Sequence, residues 1–307
     1  MSLNKEEAPI FPTTKLQIRN ILADYLKQCG IVYPRQVRLD ESFRADCYAD
    51  AERRGFDMEA IKGSLDTGIA FVATSYQHLD NYSTRVYTAV WSGIMTQMDD
   101  YYETYSDGLG EFSSRYIHRE PQCHQVLDQL VTMMHELPQH WGAIATGLIL
   151  TTQMDFLTSL IIDSVTVGME IKPLMAPEYP LFSRHMTGMS RAYAIIAFPP
   201  ELDLKSWIQV LPDLMHYINH TNDLLSFFKE ELDSETVNFI SLSASSNGIT
   251  KLEALRSIAD RTAQCYERGS RLLEASPVAW KAYRSFCVGY IGFHALAGRY
   301  KLDQLVL

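Results

Sequence analysis

Apolar residues recur at three- and four-residue spacing along nearly the whole chain, the interval that gathers them on one face of an α-helix. Leu252, Leu255, Ile258 and Ala259 show it within 249–275. Leu16, Ile18, Ile21, Leu22 and Leu26 show it within 14–30, which ends on Gly30 as helices often do. The same pattern predicts helices over 58–79, 83–105, 123–137, 141–164, 181–198, 204–232 and 278–302. Several are apolar most of the way round, as expected of helices with neighbours on more than one side. Alternation at period two is scarce, and the Asn247-Gly248 pair leads into a helix rather than a hairpin. Breaks fall at 106–112, 118–122, 170–180, 198–202 and 243–250, all short, with no long linker and no repeat. The expectation is one all-α domain over 1–307, of about ten helices, with 1–15 as a flexible tail.

Composition narrows the function classes. A chain of 307 residues with 47% hydrophobic and 21% charged residues can bury a sizeable core. A formal charge of −10 argues against nucleic acid or anionic membrane as partners, since both need a basic surface. An anionic ligand would need local Arg, Lys or metal ions. Cys29, Cys47, Cys123, Cys265 and Cys287 are scattered and lack a CxxC pair, which points to reduced thiols and a cytoplasmic location. The amino terminus has no apolar stretch of the secretory kind, and no run of about 18 apolar residues suggests a membrane span. The glycosylation patterns at Asn81 and Asn219 read as chance.

Two clusters of hard oxygen donors stand out. In 220–232, HTNDLLSFFKEEL, Asn222, Ser226 and Glu230 recur every fourth position among Leu224, Leu225, Phe227 and Phe228. They fall within an arc of about 80° on a helix. Met215 and Ile218 continue that face, so a polar patch runs into an apolar stripe, as at a pocket with a wet rim and a dry floor. In 95–105, Asp99, Asp100 and Glu103 place three carboxylates within five residues at a helix end. Such a cluster is usually just a solvated end; its functional alternative is a Mg²⁺ site, since Mg²⁺ prefers oxygen ligands. Arg184, Lys229, Arg299 and Tyr300 are candidates for an anion, although each taken singly reads as a surface charge. The segment His135–His140 has the wrong spacing for a zinc-protease helix and contains Pro138. Gly108–Gly110 follows no strand, and no nucleophile elbow is present.

Taken together, DDYYE at 99–103, NDLLSFFKE at 222–230 and the Arg299-Tyr300 pair resemble the class I terpene synthases, and within them the fungal trichodiene synthase family. YPLFSRHMTG at 179–188 is similar to the family's diphosphate-sensing segment, and FCVGYIGFHALAGRY at 286–300 to its closing helix. The resemblance spans roughly 60–305; it departs at Glu103, where the family usually carries Asp, and at Ala297 and Gly298. It implies a helical bundle around a central active-site cavity with three Mg²⁺ ions at its mouth. Asp99 would hold two ions and Asn222, Ser226 and Glu230 the third, with Asp100 and Glu103 farther out. Arg184, Lys229, Arg299 and Tyr300 would bind diphosphate oxygens. Helical phase from these anchors puts Phe71, Ser92, Met95, Thr96, Met215, Ile218, Asn219, Tyr290 and Phe293 along the cavity. Asn219 would hold a water that quenches a cation to an alcohol. The implied reaction is that of a carbon–oxygen lyase acting on farnesyl or geranyl diphosphate. Its products would be pyrophosphate and a cyclic sesquiterpene or monoterpene, or an acyclic alcohol of the nerolidol or linalool type. Two alternatives are a prenyl diphosphate synthase, which the Asn/Ser/Glu helix speaks against, and a non-catalytic prenyl-binding protein. The expected partner is the isoprenoid diphosphate, with no nucleic acid and no membrane span; a homodimer is left open.

Overall fold

The computed structural model describes residues 12–34, 38–169, 172, 175–235 and 237–307, and among them every regular element is helical. Thirteen α-helices follow one another: α1 Pro12–Gln28, α2 Glu41–Arg53, α3 Met58–Ser75, α4 Tyr82–Asp100, α5 Ser106–His118, α6 Gln125–His140 and α7 Ala143–Val165. Then come α8 Tyr179–Thr187, α9 Ser190–Ile196, α10 Leu211–Leu232, α11 Phe239–Asn247, α12 Lys251–Leu272 and α13 Pro277–Leu296. The expected tail lies outside the described residues up to 11, and its last four positions belong to α1. Part of the break at 170–180 also lies outside them.

Helix α10 runs through the middle, touching α1, α9, α11, α12 and α13, and buries Tyr217, Ile218, Leu224, Phe227 and Phe228. Helix α7 is long and apolar enough to cross a membrane by length and composition; here it packs on α5, α6, α8 and α9 as one wall of the bundle. Helices α3 and α4 cross closely where Gly68 and Gly93 face each other. A Cβ on Gly68 would collide with the Ala89 carbonyl and the Gly93 amide, both backbone atoms that cannot swing aside. Overpacking of this kind costs about 1–3 kcal/mol. Gly68→Ala is therefore expected to lower the thermal midpoint by roughly 3–10 °C, read by circular dichroism. An unchanged midpoint would show that the two helices separate freely.

Four expectations need correction. The break at 106–112 is the first half of α5, where Gly108 serves close packing against the His124 ring and Leu127 rather than a turn. The break at 243–250 is mostly α11, a serine-rich helix whose start is capped by Asn238 Oδ1 accepting from the Ser241 amide at 2.8 Å. Helix α2 was not predicted; Asp40 caps it, and few of its residues are buried, so its apolar stripe is faint. The helix expected over 181–198 is two, parted at Gly188 and Met189, whose φ of +49° is left-handed and disfavoured for a side-chain-bearing residue.

Candidate active site

The carboxyl ends of α4 and α10, the α8–α9 break and the turn after α13 surround the mouth of a cavity of about 300 Å³. Helix α4 turns Ser92, Met95, Thr96 and Asp99 into it, one face read at three- and four-residue steps. Asn222, Ser226, Lys229 and Glu230 enter from α10, Arg184 from α8, and Arg299 and Tyr300 from the turn Gly298–Tyr300.

The acidic groups here are short of positive partners. Asp99 opens to the mouth yet is ringed by protein atoms. The side chain is solvent-exposed, and it is the crowding by those atoms, with Asp100 beside it, that pushes its pKa up to about 6 against the opposing pull of Arg299 and Arg184. Asp163 of α7 adds to the push, although nothing in the pattern had singled it out. Asp100 instead pairs with Arg299, at 3.1 and 3.3 Å. Glu103 sits exposed in the turn Tyr102–Tyr105 and does not line the cavity. Burial pushes Glu230 up to about 7, with Ser226 and Lys229 opposing. The Ser226 hydroxyl is buried and makes no hydrogen bond of good geometry among the described residues, though it lies near enough to ease Glu230.

Arg184 is held by a second layer. Its Nε donates to Asp223 Oδ1 at 2.8 Å, and its Nη2 donates to the Asn219 carbonyl at 3.0 Å and to Asn222 Oδ1 at 3.2 Å. Asp223 Oδ2 takes a further bond of 2.8 Å from His220 Nδ1. On its other side, the Asn222 amide nitrogen faces His294 Nε2 at 3.2 Å and the Tyr300 hydroxyl at 3.4 Å. An amide oxygen, an unpartnered hydroxyl and a carboxyl poor in positive charge are the donor set of a hard divalent cation. Among the described residues no three His, Cys, Asp or Glu side chains converge to hold an ion alone. Amide and hydroxyl oxygens, water or a ligand's own oxygens must complete any such site.

Below the mouth the cavity is aromatic. Phe71 meets Tyr193, Phe293 and Tyr290 edge-on, with centroids at 4.8, 5.3 and 5.7 Å. Ring faces carry negative potential and suit a cation. Of the residues expected along the cavity, Phe71, Ser92, Met95, Thr96, Tyr290 and Phe293 line it. Met215, Ile218 and Asn219 do not. Helix α9 packs on α10, and Asn219 lies against Gly188, where a Cβ would collide with its amide oxygen. Asn219 is buried, and its amide has no side-chain hydrogen bond among the described residues. Thr67, Gly68, Phe156, Thr187, Gly188, Met189 and Tyr193 line the cavity without having been expected. Only Thr67, one turn before Phe71, carried a signal.

A family model described as trichodiene synthase (TRI5) matches residues 51–306. The chain belongs to that family. It is a terpene synthase, and the family's dependence on Mg²⁺ agrees with a mouth built of oxygen donors. Among its curated relatives, alpha-cuprenene synthase COP6 of Coprinopsis cinerea is 32% identical over 95% of this chain and 90% of that protein. Terpene synthase 29 of Postia placenta is 27% identical over 99% and 88%. The (E)-beta farnesene synthase of Metarhizium brunneum is 26% identical over 95% and 90%. Among solved structures, the linalool/nerolidol synthase of Streptomyces clavuligerus in complex with 2-fluorogeranyl diphosphate superposes with a TM-score of 0.65. It is 16% identical and covers 87% of this chain and 98% of its own. An α-eudesmol synthase gives 0.63 at 13% identity, over 86% and 100%. These structures share the all-α fold, so this terpene synthase keeps the class I architecture that its motifs implied.

Proposed function

We propose that this terpene synthase ionises farnesyl or geranyl diphosphate with three Mg²⁺ ions. It releases pyrophosphate with a cyclic sesquiterpene or monoterpene, or with a terpene alcohol. One observation carries the reading: a single cavity has Asp99, Asn222, Ser226, Glu230, Arg184, Lys229, Arg299 and Tyr300 around its mouth and aromatic rings below. Asp99 would hold two ions, and Asn222, Ser226 and Glu230 the third. Bound there, the ions supply positive charge where the leaving pyrophosphate gathers negative charge. Arg184, Lys229, Arg299 and Tyr300 orient the diphosphate and add N–H and O–H donors. The allylic C–O bond breaks with both electrons leaving on the diphosphate. Phe71, Tyr290 and Phe293 then present ring faces to the carbocation and keep water out. The cation ends by losing a proton to give a hydrocarbon, or by taking a water and losing its proton to give an alcohol.

The names of the relatives include cuprenene, farnesene and monoterpene synthases, which supports keeping both chain lengths in the proposal. Five cysteines outside any disulfide support a cytoplasmic setting. The test is incubation of the purified chain with each diphosphate and Mg²⁺, without isopentenyl diphosphate, followed by gas chromatography of the volatiles. A terpene with stoichiometric pyrophosphate is expected from at least one substrate. Turnover only after isopentenyl diphosphate is added would replace the proposal with chain elongation. Binding without pyrophosphate release would replace it with prenyl carriage.

A further inference from the structure

We propose that His294 is a positioning residue that fixes the side-chain amide of Asn222 so that its oxygen, and not its nitrogen, faces the cation site. The inference rests on the reading of Asn222 as a cation ligand. An asparagine amide can turn over, exchanging Oδ1 for Nδ2, and only the oxygen can ligate. Something must choose between the two faces.

His294 makes that choice by its own hydrogen bonds. It lies fully buried near the end of α13, with Nδ1 at 2.8 Å from the Tyr290 carbonyl one turn earlier. A carbonyl only accepts, so Nδ1 carries the proton, and Nε2 is left with a bare lone pair. That lone pair faces the Asn222 nitrogen at 3.2 Å. The other N–H of the amide points to the Tyr300 oxygen at 3.4 Å, and Oδ1 accepts from Arg184 at 3.2 Å. Turned over, the amide would set oxygen against the imidazole lone pair and N–H₂ against the guanidinium, a mismatch at both ends. The ring itself is wedged among Tyr300, Tyr290 and Phe293, with centroids at 4.5, 4.6 and 5.0 Å, so it cannot turn to follow. The Tyr290 carbonyl thus sets the His294 tautomer, and His294 sets the amide. This is the way outer partners commonly fix the ligands of metal sites. Tyr300 accepts from the amide and keeps its own proton for the cavity.

The probe is Mn²⁺, titrated with inorganic pyrophosphate present and read by electron paramagnetic resonance, so no turnover is needed. His294→Leu is expected to weaken Mn²⁺ binding at least about tenfold, while His294→Gln, which restores an acceptor, stays within about threefold of wild type. In an Asn222→Asp background the two oxygens are equivalent and there is no face to choose. There His294→Leu is expected to change binding by less than about twofold. If the leucine variant does not fold, His294→Phe, an aromatic ring without an acceptor, carries the same expectation. Equal losses in both backgrounds, or a glutamine variant no better than leucine with a native melt, would overturn the inference and assign His294 to packing. Wild-type protein that binds no Mn²⁺ with pyrophosphate would overturn the cation reading itself, and the inference with it.

Discussion

Glu230→Gln is expected to lower turnover by about 10²–10³-fold, since it removes an electrostatic contribution at the point where charge develops. The same substitution should leave the cation-free protein as stable as wild type near neutral pH, or more so. Burial raises the Glu230 carboxyl from its ordinary 4.5 to about 7. Between those values the folded chain keeps a proton that the unfolded chain has lost. Stability therefore falls as pH rises through that window and levels off above it. Asp99 adds a slope of the same sign between 3.8 and about 6. His216 and His294, kept neutral by burial, add an opposite slope below 6.5 to both proteins, so thermal melts from pH 4.5 to 8 should show the decline as a loss of wild-type stability relative to Glu230→Gln. Mg²⁺ with pyrophosphate should reverse the decline in wild type and not in the variant, because a ligand that binds only the folded state adds to its stability. Asp99→Ala and Asn222→Ala should likewise lose most turnover with helical circular dichroism intact. Wild-type turnover in Glu230→Gln would remove the third-ion assignment.

The mouth was legible in the sequence because each of its groups is an exception to its surroundings. Asn222, Ser226 and Glu230 interrupt an otherwise apolar helix at four-residue steps, and a helix turns such steps into one face. Apart from Phe71 of α3, the floor was legible where an anchor lay on the same helix or just beyond its end. Ser92, Met95 and Thr96 could be phased from Asp99, and Tyr290 and Phe293 from Arg299. Phasing failed at Met215, Ile218 and Asn219, since periodicity identifies a face but not the neighbour that covers it; at Asn219 that neighbour is Gly188. Phe156, Tyr193 and Asp163 reach the site from α7 and α9 through packing between distant segments, and a single helix pattern holds no record of that. Of the helices missed, α2 and α11 are started by Asp40 and Asn238 caps more than by an apolar stripe, and α5 buries only Gly108, Leu109 and Phe112. The left-handed Met189 was equally silent, because a methionine carries none of the usual marks of that conformation.

Arg184→Ala is expected to fail twice, for separable reasons. The Arg184 and Asp223 side chains are only 16% and 9% exposed, so their pairing is largely cut off from water. Removing the guanidinium leaves Asp223 a buried carboxylate with His220 as its remaining side-chain partner, which costs about 3–5 kcal/mol. In a chain of this size that loss should lower the melting midpoint by roughly 5–15 °C. Turnover should fall as well, because the diphosphate loses a planar donor that a point charge does not replace. The double variant Arg184→Ala/Asp223→Ala separates the two effects. With neither charge present the stranded carboxylate is gone, so much of the stability should return, while turnover stays low for want of the guanidinium. Arg184→Lys should fall between, keeping charge at the mouth but not the three-way grip on Asp223, Asn219 and Asn222. Melts and steady-state pyrophosphate release on the three variants decide the matter. If the double variant regained turnover along with its midpoint, Arg184 would be a strut for α8 and α10, and the diphosphate would be held by Lys229, Arg299 and Tyr300 alone.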